Sequence, residues 1–323
     1  MSGGSSLTLA WRIGAHVPGG VVRAAGALVA DAAWVRRGKG VRQLERNLRR
    51  LRPDVSRREL RALSRAGMRS YMRYYGEAFT LSTLTEAQIA ARVRTVGEEH
   101  VRLVLARGER IVVALGHQGN WDLAGAWATA NLAPVTTVAE RLEPEELFQE
   151  FLAFREGLGM TILPLTGGPD VFRELLRVVG GGSGAGLVPL VADRDLTHRG
   201  IEVDLLGHLA RVAAGPAALA VSTGAPLFAA SIWYERLTGE RRRRAGSPWG
   251  IVVEFLPVAT ASDGVPRAER VAVTTQAWVD AIATGIAAHP ADWHMLQKVF
   301  VADLDPARDA EVAATAETRG GTA

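Results

Sequence analysis

From about residue 7 to residue 80 apolar positions return every three or four residues between arginines, as at Leu44, Leu48 and Leu51 and again at Leu60, Leu63 and Met68. That period is helical, so the chain is expected to open with several amphipathic helices. The stretch from Leu9 to Trp34 is mostly apolar but is interrupted by Pro18, Gly19 and Gly20. Each side of that break is too short to span a bilayer, and the stretch reads as a helix pair or an interfacial segment. After Glu98 the texture changes to short β-rich runs at Ile111 to Leu115, Thr136 to Ala139, Met160 to Leu165, Leu187 to Ala192, Pro226 to Tyr234 and Trp249 to Val258. Between them lie helical patterns at Pro144 to Leu158, Val171 to Val179, Gly215 to Ser222 and Arg267 to Ala288, while the glycine-rich stretch from Gly180 to Gly186 reads as a surface connection. The alternation predicts an α/β fold, a mixed β-sheet flanked by helices, with N-terminal amphipathic helices ahead of it. The expected organisation is a helical region over residues 1–95, an α/β domain over 96–303 and a mobile tail over 304–323.

Composition narrows the class. With 323 residues, 48% hydrophobic and 22% charged, the chain is globular and of enzyme size. It has no cysteine, which excludes a disulfide framework, a thiolate metal site and a thiol nucleophile. No uninterrupted apolar run reaches about 18 residues and no leader-like pattern opens the chain, so neither a membrane span nor secretion is expected. The formal charge of +4 is unevenly placed, crowding basic residues between Arg36 and Arg73 and in the run Arg241 to Arg244. Such charge fits an anionic partner surface, lipid or nucleic acid, and equally a solvated arginine-rich face.

The chemistry concentrates in Gly116-His117-Gln118-Gly119-Asn120-Trp121-Asp122, between an apolar strand and a helical pattern. A strand-to-helix junction is where α/β folds place ligands. On a regular helix positions five apart sit about 140° apart, so His117 and Asp122 pair only if the chain turns between them, as Gly116 and Gly119 allow. A histidine with a carboxylate beside it is a general base suited to taking a proton from a hydroxyl. The chain has no Gly-x-Ser-x-Gly elbow, which favours direct transfer between two bound substrates over a covalent acyl-enzyme. His117, His198 and His208 lack the spacing of zinc patterns, so no metal is expected. Trp121, Trp127, Trp233 and Trp293 read as core residues.

The string His117-Gln118-Gly119-Asn120-Trp121-Asp122 resembles the His-x-x-x-x-Asp signature of the lysophospholipid acyltransferase superfamily. In its Gly-Asn-Trp-Asp form it is similar to the bacterial lipid A lauroyl and myristoyl acyltransferases and, more closely, to the actinobacterial phosphatidylinositol mannoside acyltransferases. The likeness continues through Thr137 to Leu142, Leu163 to Gly168, Ala192 to Thr197 and Arg211 to Leu219, over roughly residues 40–300. It implies a glycerolipid acyltransferase-like fold and His117 as the base that deprotonates the acceptor hydroxyl, with Asp122 orienting it. Asp193, where the mannoside acyltransferases carry glutamate, is implied as a second acid assisting the histidine, and Glu140, Arg155 and Arg194 as substrate-binding residues. The implied donor is an acyl-CoA such as palmitoyl-CoA, used as co-substrate with no bound cofactor. The implied acceptor is a membrane glycolipid, at the 6-hydroxyl of the mannose on inositol position 2 of a phosphatidylinositol mannoside. Backbone N–H groups at the start of the helix after Gly119 are the expected donors to the tetrahedral oxygen. The apolar segment and the Arg36 to Arg73 cluster suggest an anionic membrane surface, not nucleic acid, as partner, with the protein peripheral on the cytoplasmic face of the plasma membrane. The alternatives are an acyltransferase with a lysophospholipid or lipid A-like acceptor, and a non-catalytic membrane-surface binding protein.

Overall fold

Pro18 sets the start of the first helix. In the computed structural model, which describes residues 17–140, 145–165, 170–181, 184–195, 200–261 and 264–304, α1 (Gly19–Arg36) begins directly after this proline and takes both glycines into its first turn. The part of the Leu9 to Trp34 segment before residue 17 lies outside the described residues, as do His198, the ends of the strings Leu163 to Gly168 and Ala192 to Thr197, and the tail from residue 305 onward. Arg37, in the left-handed region at φ 49°, closes α1. α2 (Lys39–Leu51) then turns Val41, Leu44, Leu48 and Leu51 inward, the period seen in the sequence. Ser56 starts α3 (Arg57–Leu81) through a reciprocal capping pair with Glu59. The first and third helices are tied together: Trp34 Nε1 donates to Ser64 Oγ at 2.9 Å, and Asp31 accepts from both Arg65 and Arg69.

The α/β body follows as α4 (Glu86–Arg92), β1 (Val93–Val96), α5 (Glu98–Leu105), β2 (Arg110–Leu115), α6 (Trp121–Asn131), β3 (Thr136–Glu140), α7 (Glu145–Gly157), β4 (Thr161–Leu165), α8 (Asp170–Gly181) and β5 (Gly186–Val191). It continues with β6 (Ile201–Leu205), β7 (His208–Val212), α9 (Gly215–Thr223), β8 (Leu227–Arg236), α10 (Gly239–Ala245), β9 (Trp249–Val258) and α11 (Arg267–Ala288). The sheet order is β1-β9-β8-β2-β5, with β8 and β9 antiparallel and the other neighbours parallel. A parallel β3–β4 pair continues it beyond β5, because Val135 bridges Leu187. This is the mixed sheet flanked by helices that the alternation predicts. Its first strand, β1, straddles the residue 95/96 boundary drawn from the sequence.

Strand β2 is central, and Ile111 to Leu115 are all buried. Val112 and Ala114 face a core built with α8, α9 and α11, whereas Ile111, Val113 and Leu115 face one built with α5, α6 and α7. Helices on both faces explain why the strand reads as an unbroken apolar run rather than an alternating one. β1, the β6–β7 hairpin and the short helices α5 and α10 escaped the sequence expectation. β1 is only four residues long, and β6–β7 is a hairpin whose turn residues Leu206 and Gly207 both have positive φ. Alternation of Val203, Leu205, Ala210 and Val212 with polar residues was its signal. α11 is the one described helix long and apolar enough to cross a membrane by length and composition. Half of that window is buried, and Trp278, Ile282 and Ile286 are enclosed in the core, which accounts for its apolarity.

The N-terminal helices belong to this body. Asn47 on α2 is wholly buried, and its Nδ2 donates to the carbonyls of Met295 at 2.8 Å and Gln297 at 3.0 Å. Asn47→Ala leaves both carbonyls without that donor, and a loss of about 2 kcal/mol in unfolding free energy is expected from urea titration. An unchanged midpoint would show that α2 does not anchor this segment.

Candidate active site

Strand β2 ends at Leu115, and the chain turns through residues 116–120 before α6 begins. The turn needs Gly119: its φ is +55°, and a Cβ there would lie 2.7 Å from Ile232 Cγ2 and 2.8 Å from its carbonyl oxygen. Asn120 caps α6 by accepting the Leu123 N–H at 2.9 Å, while its Nδ2 donates to Glu77 Oε2 at 2.8 Å. Tyr234 also donates to Glu77, at 3.0 Å. Burial lifts the Glu77 carboxyl above its usual range, and Asn120, Arg92, Arg73 and Tyr234 offset this only in part.

The β2–β5 ladder puts residue 193 beside residue 117. It pairs Leu115 with Val191, and the Ala192 N–H extends it to the Leu115 carbonyl at 2.9 Å. Asp193 Oδ1 then lies 2.5 Å from His117 Nδ1, and Oδ2 accepts the His117 backbone N–H at 2.9 Å and Trp293 Nε1 at 2.8 Å. The carboxylate is buried. Burial would raise its pKa, but the charge and hydrogen bonds of His117, with Trp293, outweigh that and hold it below the usual carboxyl range. Nδ1–H is therefore directed at Asp193, and Nε2, with no protein partner among the described residues, is left on a ring that lines the main cavity. The shorter acid reaches the histidine because the two parallel strand ends are adjacent.

Asp122 is placed elsewhere, which corrects the sequence expectation. It does not bond His117. Arg155 Nε donates to its Oδ1 at 2.7 Å and Tyr74 Oη to its Oδ2 at 2.8 Å. The physical reason is that Asp122 sits in the first turn of α6, where its side chain meets α3 and α7. Burial works against the charge on Arg155, but Asp122 more than offsets it and holds the guanidinium above its usual range. Arg155 thus reaches across to Asp122 on α6 rather than standing as a surface charge. Glu140 and Arg194 pair at 3.7 Å, with Glu140 half-exposed, and both line the cavity. Asp195 accepts from the Gly200 N–H at 2.8 Å.

The cavity encloses about 670 Å³, within the roughly 300–1,000 Å³ of small-ligand sites. From His117 it runs between the sheet (Val113, Ala230) and helices α6 and α7 (Ala128, Phe148), with Met160 and Leu187 further along its apolar wall. Of the backbone donors expected after Gly119, the Gly119 N–H is taken by the Asp292 carbonyl and that of Leu123 by Asn120. The N–H groups of Trp121 and Asp122 have no partner among the described residues. Tyr74 and Glu77 went unmarked in the sequence, where Asn120 was given no role of its own within the motif and Trp293 was read as a core residue. Tyr74 stacks on Trp121 at 4.2 Å and Trp293 is fully buried, but buried aromatics give no signal that separates such a role from packing.

A histidine with no serine or cysteine among its partners in the described residues, opening onto an apolar cavity, suits a site that takes an acyl chain. The family described as bacterial lipid A biosynthesis acyltransferase matches residues 5–301, and the chain belongs to it. It is 39% identical over 304 residues to a phosphatidylinositol mannoside acyltransferase of Mycolicibacterium smegmatis, covering 94% of this chain and 92% of that protein. It is 40% identical over 287 residues to one of Mycobacterium tuberculosis, covering 87% and 84% respectively. The solved 1-acyl-sn-glycerophosphate acyltransferase PlsC of Thermotoga maritima aligns over 82% of this chain and 96% of its own at 13% identity, with a TM-score of 0.32.

The turn itself is testable. Gly119→Ala introduces a strained φ and a clash with Ile232, and a loss of about 1–3 kcal/mol is expected as a lower Tm. A variant as stable as the parent would show that the turn relaxes freely.

Proposed function

We propose that this enzyme transfers a palmitoyl-length acyl group from acyl-CoA to the 6-hydroxyl of a mannose in phosphatidylinositol mannosides, with His117 as general base. The observation that carries the mechanism is the His117–Asp193 contact, which commits Nδ1–H to a buried carboxylate and leaves Nε2 as the free base at the cavity. The names of the two mycobacterial relatives support the acceptor class. The 6-hydroxyl and the palmitoyl chain rest on the resemblance to that group alone.

In this mechanism Nε2 takes the hydroxyl proton as the oxygen attacks the thioester carbonyl. Asp193 stabilises the imidazolium that forms. The tetrahedral intermediate expels the CoA sulfur, which receives the proton from Nε2, so the free enzyme is restored. The N–H groups of Trp121 and Asp122, at the positive end of α6, are the candidate donors to the tetrahedral oxygen. The apolar cavity takes the acyl chain. Arg155, Glu140 and Arg194 supply hydrogen-bonding groups for a polyol, and Asp122 acts by holding Arg155 rather than by orienting the histidine.

Transfer is tested with labelled palmitoyl-CoA and a panel of mannoside, lysophospholipid and lipid A-like acceptors. His117→Ala is expected to lose about 10²- to 10⁴-fold in kcat while keeping its fold, and Asp193→Asn to lose at least tenfold. Near-normal turnover by folded His117→Ala would remove the base assignment. Preference for a lipid A-like acceptor, to which the family description points, would replace the mannoside.

The same proposal places the protein on the cytoplasmic face of the plasma membrane, as a peripheral protein. Val21, Leu28 and Val35 recur at intervals of seven on α1 and are 56%, 71% and 69% exposed, so they share one apolar stripe. Apolar insertion resists salt, whereas each basic residue near an anionic surface adds about 1 kcal/mol that salt screens. Co-sedimentation with anionic vesicles should fall with salt without vanishing, and Val21→Ser with Leu28→Ser and Val35→Ser should abolish the salt-resistant part. Absence of binding at low salt would refute the peripheral placement.

A further inference from the structure

The segment after α11 carries two adjacent rings at the site. Trp293 holds Asp193, as described above. His294 is 2% exposed and lines the same cavity as His117. Its backbone N–H donates to the His117 carbonyl at 2.7 Å. Trp121 lies between the two imidazoles, its ring centroid 5.8 Å from His117 and 6.4 Å from His294.

The protonation of His294 follows from its neighbours. Ser70 Oγ is 2.5 Å from Asp292 Oδ1 and 2.9 Å from His294 Nε2. Asp292 Oδ2 accepts the Tyr234 N–H at 3.0 Å. Burial raises the Asp292 carboxyl above its usual range, and Ser70, Tyr234, Arg73 and His289 offset this only in part, with the Ser70 hydroxyl donating to Oδ1 and the Tyr234 N–H to Oδ2. A carboxylate only accepts, so Ser70 gives its proton to Asp292 and its oxygen accepts from His294, which puts the imidazole proton on Nε2. Nδ1 is left with a lone pair, is buried, and has no hydrogen-bond partner among the described residues. Burial, then the nearby charges of His117 and Arg73, push the imidazole pKa down to about 3, so it stays a neutral acceptor at physiological pH. A buried acceptor without a donor is costly, and native structures rarely keep one without a use for it.

We propose that His294 Nδ1 accepts a hydrogen bond from a second hydroxyl of the acceptor sugar, holding the polyol in place while His117 deprotonates its neighbour. His294 is then an acceptor-binding residue that sets specificity for a polyol, because a lone pair selects a hydroxyl donor and an apolar acyl chain offers none. This rests on His117 serving as the base for a hydroxyl acceptor.

Two near-isosteric variants separate this role from packing. His294→Gln can keep an amide N–H on Ser70 in place of Nε2–H but has no acceptor where Nδ1 stands. His294→Asn places its amide oxygen near the Nδ1 position and gives up the Ser70 contact. Acceptor and donor KM are measured for both variants with palmitoyl-CoA and phosphatidylinositol mannoside in detergent, and mannoside binding is measured separately by calorimetry without donor. The expected result is an acceptor KM and Kd raised about tenfold in His294→Gln, with donor KM and Tm unchanged and with His294→Asn closer to the parent. A His294→Gln variant with the parent's acceptor KM and Kd overturns the proposal. So does a parallel rise in donor and acceptor KM with a lowered Tm, which is the signature of a packing role. Failure of the parent enzyme to use or bind any polyol acceptor would instead overturn the hydroxyl-acceptor reading on which this rests.

Discussion

The carboxylate of Asp193 is the constraint on which the site depends. It is buried, and it is held by the Nδ1 and backbone N–H of His117 and by the indole of Trp293. These donors come from the end of β2 and from the segment after α11, so the carboxylate joins the middle of the sheet to the C-terminal part of the chain. A buried charge with fewer partners would be a large penalty. With three donors it becomes a rigid anchor that orients the imidazole and keeps a negative charge where an imidazolium would form.

Around this anchor the motif residues divide their work. Gly119 makes the turn, Asn120 caps α6 and reaches down to Glu77, and Asp122 holds Arg155 and Tyr74 at the cavity wall. The short string is therefore less a catalytic pair than a junction where β2, α3, α6 and α7 are tied together. Each tie orders a different part of the cavity. A residue of this string can matter greatly for activity without touching the reacting atoms.

The arginine-rich N-terminal region shows similar economy. Arg37 and Arg61 pair with Glu45, Arg50 with Asp303, and Arg65 and Arg69 with Asp31. Arg73 lies over the Trp249 ring at 3.7 Å. Part of the basic charge counted between Arg36 and Arg73 is thus paired with the protein's own carboxylates, and its outward field is weaker than the residue count suggests. The exposed apolar stripe of α1 is not compensated in this way, which makes apolar contact the stronger of the two terms in the proposed membrane association.

Period and residue type were enough to predict the helical opening and the alternating α/β body, and they singled out the end of Ile111 to Leu115, beside which the structure opens a cavity, because these follow from local periodicity and from a glycine-rich strand-to-helix junction. The chain's own order also marked His117 as the candidate base, since few residue types serve as one at neutral pH. Asp193 entered as an assisting acid only through the family resemblance, and that it contacts the histidine while Asp122 does not was decided by the tertiary structure. Asp122 is five residues away in sequence and faces α3 and α7, whereas Asp193 is 76 residues away and adjacent because β2 and β5 run parallel, in register, to the same end of the sheet. Trp293, Tyr74 and Ser70 enter the site through contacts across comparable separations. A sequence carries no distance information of that kind, since strand order and register arise from the packing of the whole sheet and not from any segment's own pattern.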